Sequence, residues 1–230
     1  MIKRISRYHI LQALEDNPKL NVIDLGCGTK GACPSANVLV DRKDWSSDFK
    51  DKEFIVHDVN VFPFPFEDKQ FDFCFASHIL EHVIDPISFL GEVVRISKSG
   101  YIEVPSPLID NLVSGDDQQD PHGHKWWVYY DDALEKIVIR PRKHIVHKTV
   151  DIPELNKLYP FFRSSFVLEL YWEEAIKLEM GDEKYFYEDK QYDLSQTNIQ
   201  PWVLGNMLRA MSVNTTQGVN VQAPPQMTFR

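Results

Sequence analysis

Little in this chain marks secretion, membrane insertion or nucleic-acid binding. It has three cysteines, Cys27, Cys33 and Cys74, an odd number without paired metal spacing. That count excludes a disulfide framework and fits a reducing compartment. Long hydrophobic runs are missing too. Lys3, Arg4 and Arg7 near the start are not followed by an uninterrupted apolar segment, so neither a signal peptide nor a membrane span is expected. The expected location is cytoplasmic. Positive charge is in short supply: 25 Lys and Arg stand against 34 Asp and Glu, a formal net charge of −9. Phosphate backbones are bound largely through Lys and Arg, so no nucleic-acid partner is expected. A local basic cluster at Arg140, Arg142, Lys143 and Lys148 suits a solvated face or an anionic small substrate.

Aromatic residues are plentiful, with 14 Phe, 9 Tyr and 5 Trp in 230 residues, enough for one sizeable core. Helical spacing of Ile5, Ile10, Leu11 and Leu14 predicts a helix over 3–15, ending before Asn17-Pro18. Short apolar runs follow at 22–25, 37–40, 54–57, 71–76 and 101–104. Asp85 and Pro86 are a helix cap and first-turn proline, with Ile87, Leu90 and Val94 predicted to share one face. Short strands alternating with helices predict an α/β fold, a doubly wound and mostly parallel sheet. Residues 131–139 read as a further helix, and period-two alternation over 165–180 predicts an antiparallel strand pair at the C-terminal edge. From about Ser195 the chain is rich in Asn, Gln, Thr and Pro, and a loosely packed tail is expected. The expected division is a domain over 1–182 and an extension over 183–230.

Chemistry concentrates where the first of these strands empties into Gly26-Cys27-Gly28-Thr29-Lys30-Gly31. Glycines there let the backbone turn sharply and approach a ligand closely. Asp41 ends the second strand and Asp58 follows the third. Ligands on open α/β sheets bind outside the carboxyl ends of the strands, so loop and acids converge on one crevice. An acid at Asp41 can accept ribose hydroxyls, and one at Asp58 the exocyclic amine of adenine. The Gly26-x-Gly28-x-x-Gly31 spacing also admits a nicotinamide dinucleotide, and a binding module that has lost its cofactor stays open as a third reading.

Asp24-Leu25-Gly26-Cys27-Gly28, Asp41 and Asp58 resemble the cofactor half of class I S-adenosylmethionine-dependent methyltransferases. The run Ser77-His78-Ile79-Leu80-Glu81-His82-Val83, with Phe64-Pro65-Phe66 before it and His124 with Trp126 to Tyr130 after it, is similar to the small-molecule branch called type 11. The resemblance spans about residues 20–140. It implies S-adenosylmethionine as cofactor and a small-molecule or sugar-linked substrate. By the same resemblance Asp24, Gly26 and Gly28 line the methionine end, Asp41 holds the ribose with Arg42 beside the adenine, Asp58 and Val59 border the ring, and Ser77 and His78 lie under the sulfonium. His78, His122 and His124 are the candidates for a general base, with Asp116, Asp117 and Asp120 on the same long loop, and His78 and His124 are the expected catalytic residues. Asp58 and the SHILEHV run disfavour the dinucleotide reading.

The sequence also departs from the family pattern. Lys30 stands where a third motif glycine usually comes, and Cys33-Pro34-Ser35 fills the place of the usual first helix. A missing helix takes aligned amides away from an anion, which makes Lys30 a candidate for the methionine carboxylate. His122-Gly123-His124 is half of a metal site without a third ligand at motif spacing, and no metal is expected.

Overall fold

The computed structural model of the chain describes residues 1–112, 123–142 and 152–181. Asp116, Asp117, Asp120, His122, Lys143, Lys148 and the expected extension over 183–230 lie outside the described residues. No helix among the described residues is long and apolar enough to cross a membrane.

Five parallel strands form the centre of the fold: β2 (Val22–Leu25), β3 (Val38–Asp41), β4 (Glu53–Val56), β5 (Phe71–Ser77) and β6 (Ser97–Pro105). Two more, β1 (Ile2–Arg4) and β9 (Val167–Glu173), complete a seven-stranded sheet in the order β1-β9-β6-β5-β2-β3-β4. The order reverses beside β2, so its carboxyl end faces a topological switch point, where open α/β sheets take their ligands. Side chains alternate between the two faces. On one face Ile23, Val38, Val40, Cys74, Ala76 and Ile102 pack with Phe89, Leu90 and Val93 of helix α2 (Pro86–Ile96). Helix α1 (Arg7–Glu15) buries Ile10 and Leu14.

Helix α2 starts where expected, with Asp85 accepting hydrogen bonds from the amides of Ile87 and Ser88. Its buried residues are Phe89, Leu90, Val93 and Ile96, whereas Ile87 is half exposed. The expected face was therefore off by a fraction of a turn. No helix lies between β2 and β3, as the short spacing implied.

Three expectations are corrected. The N-terminal helix begins at Arg7, because Ile2–Arg4 pair antiparallel with Leu170–Trp172 of β9. Residues 131–139 are not helical: β7 (Trp126–Asp131) and β8 (Lys136–Pro141) form an antiparallel hairpin. The Asp131 carboxylate accepts the amides of Ala133 and Leu134, and Glu135 adopts a positive φ, which reverses the chain. Finally, β9 and β10 (Leu178–Met180) do not pair with each other. β9 runs antiparallel to β6 and β1 at the sheet edge, whereas β10 joins β8 in a second, three-stranded sheet of order β10-β8-β7. The described residues also include the helices α3 (Pro107–Leu112) and α4 (Ile152–Phe166), the latter interrupted by non-helical dihedrals at Phe162.

Candidate functional site

The loop after β2 is held open by two glycines in left-handed conformation, Gly26 at φ +72 and Gly28 at φ +56. At Gly26 a Cβ would come within 2.7 Å of the Ile79 side chain, so no larger residue fits without displacing that neighbour. Gly28 donates its amide to the Asp41 carboxylate at 3.0 Å, tying the loop to the end of β3. Asp58 holds its own turn by accepting the Asn60 amide, and the Asn60 side chain accepts from Ile84 in the segment after β5. These ties surround a crevice of about 460 Å³ at the carboxyl end of the sheet.

Gly26, Asp41, Arg42, Asp58 and Val59 line this crevice, with Ile79 and Val83 as apolar wall. Five of the residues singled out from the sequence are thus brought together. His57, Asn60, His82 and Lys125 also line it, and none of these was singled out for that role. His57 and Asn60 flank Asp58 in sequence, a signal that proximity could have supplied. Lys125 arrives from the second sheet: its amide and that of Trp126 both donate to the Glu81 carbonyl, pinning the start of β7 onto the turn after β5.

Asp24 is placed differently. It is buried at the end of β2 and accepts the Cys33 amide at 2.6 Å. Burial pushes its carboxyl up to about 7, against the lowering effect of that hydrogen bond and of Arg7 and Lys52. Lys30 is exposed. Arg7 of α1 reaches the loop, donating to the Gly31 carbonyl at 2.9 Å, to the Ser77 hydroxyl at 2.9 Å and to Glu103 at 3.3 Å. Sequence spacing carried no sign of this, because Arg7 comes from a helix remote in the chain.

Ser77 ends β5 and His78 follows it. His78 has a positive φ of 54 and sits between two carboxylates, with Nδ1 at 3.2 Å from Glu81 and Nε2 at 3.2 Å from Glu103. Burial alone would lower its pKa, but its hydrogen bonds to Glu103 and Glu81 outweigh that and raise it to about 9. Both ring nitrogens thus face carboxylates, which favour the protonated ring. Glu103 draws further hydrogen bonds from Tyr101, Ser77 and Arg163. An acid inside the apolar run 101–104 is the signal in the sequence that marks it.

His124 lies just before β7. Its Nδ1 is 2.5 Å from Asp110, a buried residue of α3 that also accepts from the Trp127 indole and from Arg142. Burial lowers the His124 pKa and the Asp110 carboxylate raises it, with a net rise. Its ring meets that of His82 edge-on, at 4.6 Å between centroids. Trp127 and Tyr130 are buried, and the Trp126 indole donates to the Val83 carbonyl. The aromatic run is therefore wall and core, with Trp126 bracing the segment that lines the crevice. Arg140 is 2% exposed and Arg142 is bonded to Asp110, so the two described members of the basic cluster point inward and offer no patch for an anion.

Comparison with known proteins places residues 23–102 in a match to the model of a methyltransferase domain. That stretch runs from β2 into β6 and contains the glycine loop, both crevice aspartates and the SHILEHV segment. No curated protein matches the chain. Among solved structures, a protein described as a methyltransferase, in complex with the Haloferax volcanii Trm112 methyltransferase activator, is 16% identical. The match covers 72% of this chain and 89% of that one at a TM-score of 0.43. The methyltransferase CalH, solved with S-adenosylhomocysteine, is 19% identical over 43% of this chain and 35% of its own, with a TM-score of 0.35. An S-adenosylmethionine-dependent methyltransferase of Thermotoga maritima is 24% identical over 43% and 50% respectively, at 0.34.

Proposed function

We propose that this chain, whose residues 23–102 match a methyltransferase domain, transfers a methyl group from S-adenosylmethionine to an oxygen or nitrogen of a small-molecule or sugar-linked acceptor. The observation that carries the reading is the crevice at the switch point. Two carboxylates, Asp41 and Asp58, and the apolar Val59, Ile79 and Val83 line it. That pattern suits a nucleoside: an acid for the ribose diol, an acid for the adenine amine and an apolar slot for the ring. At Gly26 a Cβ would foul Ile79, which keeps the backbone free to run close against a ligand.

In this reading Asp41 accepts the ribose hydroxyls, Arg42 and Val59 flank the adenine, and Asp58 accepts its amine. Gly26 and Gly28 pass the methionine chain towards Asp24, which at a pKa of about 7 shifts to its ionised form beside an ammonium group. Arg7, bridging Gly31, Ser77 and Glu103, takes over from Lys30 as the cation offered to the methionine carboxylate. When bound, the donor supplies a methyl carbon on a sulfonium, open to in-line attack. The protein's part is alignment of the acceptor, worth up to about 7–11 kcal/mol in favourable cases. Ser77 and His78 fix the end of β5 beneath that methyl group, and His124 is a substrate-side residue.

The test is transfer of labelled methyl from the donor to a panel of hydroxylated and amino small molecules, sugar phosphates and a mixed protein extract. Label in a small-molecule or sugar fraction, lost in Asp41→Ala, supports the reading. Label confined to protein overturns the acceptor class.

A further inference from the structure

We propose that Glu81, His82 and His124 form a binding site for one divalent first-row transition-metal ion, with zinc the best-fitting probe, on the wall of the crevice. Each of the three offers one ligand atom, and these atoms lie within 4.8 Å of one another. Independent support comes from Glu81. Its side chain is 1% exposed; one oxygen, Oε1, lies 3.2 Å from His78 Nδ1 and 4.0 Å from His82 Nε2, and the other, Oε2, is buried without a hydrogen-bond partner. A buried carboxylate oxygen left unpaired is costly, and a cation beside it removes that cost.

The histidines are prepared for the same task. His124 turns Nδ1 to Asp110 at 2.5 Å, and Asp110 is itself held by Trp127 and Arg142. A carboxylate on one imidazole nitrogen fixes the ring and raises the basicity of the other nitrogen, the arrangement that metal-ligating histidines regularly show. Nε2 of His124 is then the ligand. The His82 ring stands beside it at 4.6 Å, and His82 follows Glu81 in sequence, so one turn delivers two ligands. The third comes from the far side of the chain, held in place by the Lys125 and Trp126 amides on the Glu81 carbonyl.

Two imidazoles and one carboxylate suit zinc, iron, cobalt or manganese rather than magnesium or calcium, which favour all-oxygen shells. Bonds of about 2.0–2.2 Å require the ligand atoms to close by up to roughly 1 Å, a movement available to the partly exposed His82. Three protein ligands leave coordination positions for water or for an oxygen of the acceptor. His82 lines the crevice, so an ion held there stands at its wall. The His122-Gly123-His124 pair gave no third ligand by spacing alone, since the other two come from the turn after β5.

The experiment uses the full chain, stripped with EDTA and titrated with ZnCl2, MnCl2 and MgCl2 by calorimetry, with metal content measured after dialysis. A CoCl2 titration follows the visible absorption of the bound ion. The expected result is one zinc or cobalt per chain, weak or no response to magnesium, and a rise in melting temperature with zinc. His82→Gln and His124→Gln should each weaken binding by at least about 10-fold, and Asp110→Asn by about 10-fold through His124. Glu81→Gln should do the same. If it fails to fold, the two histidine variants carry the test. Absence of stoichiometric binding, or binding unchanged in both histidine variants, overturns the proposal.

Discussion

Asp24 and Glu103 are buried carboxylates at the same end of the sheet, and their protons behave in opposite ways. Asp24 has one backbone amide and distant cations, so desolvation prevails and its carboxyl rises from 3.8 to about 7. Glu103 suffers the same desolvation but gathers His78, Tyr101 and Arg7, and falls from 4.5 to about 2. For Glu103 the folded pKa lies below the unfolded one. Its stabilisation is therefore complete above about pH 4.5 and is lost as pH falls towards 2. Glu103→Gln should cost about 2–4 kcal/mol at pH 7 and flatten the acid limb of the stability curve measured by denaturant titration. For Asp24 the sign is reversed: the folded state holds the proton more tightly, so stability declines as pH rises from about 4 to about 7. Relative to the parent, Asp24→Asn should gain stability between pH 5 and 8, and parallel curves would contradict this. Gly26→Ala, at φ +72 and against Ile79, should lose about 1–3 kcal/mol together with most of its donor affinity. The sequence revealed Asp24 through its place before the glycine loop. It did not reveal the partners of Glu103, because Arg7 and Arg163 reach it from helices remote in the chain.

Elements announced by local chemistry were readable, and those decided by tertiary pairing were not. Helix α2 carries its own start signal, Asp85 followed by Pro86, and the structure begins it there. Asp85→Ala should cost about 1 kcal/mol, seen as a drop of roughly 2–4 °C in melting temperature without change in donor affinity. The stretch over 131–139 carries no such signal. Ile137, Val138 and Ile139 form a short apolar run that periodicity alone assigns to neither state. The outcome is set by pairing with Trp126–Asp131 and by the Asp131 turn. The same holds for β9 and β10: alternation identified both as strands, but their partners are β6, β1 and β8. The strand expected over 101–104 begins earlier, with Ser97 to Gly100 as the first residues of β6. Gly100 is required there because a Cβ would lie 2.4 Å from the Cys74 carbonyl of the neighbouring strand.

At the scale of the whole molecule, the sheet order directs the glycine loop, Asp41 and Asp58 to one crevice, and the second sheet closes its far wall through Lys125. The convergence of loop and acids was legible because parallel strands present their carboxyl ends together. The contribution of the second sheet was not, since it depends on amides meeting the Glu81 carbonyl across the chain. The central claim is that this crevice holds S-adenosylmethionine, and thermal unfolding with added ligand tests it most directly. At about 100 times its dissociation constant, a ligand adds roughly 2.7 kcal/mol of stability, which at this chain length raises the melting temperature by roughly 5–10 °C. S-adenosylmethionine and S-adenosylhomocysteine should both give that rise, NAD should not, and Asp41→Ala should abolish it. A rise with NAD alone, or no rise with either adenosyl compound, would contradict the account.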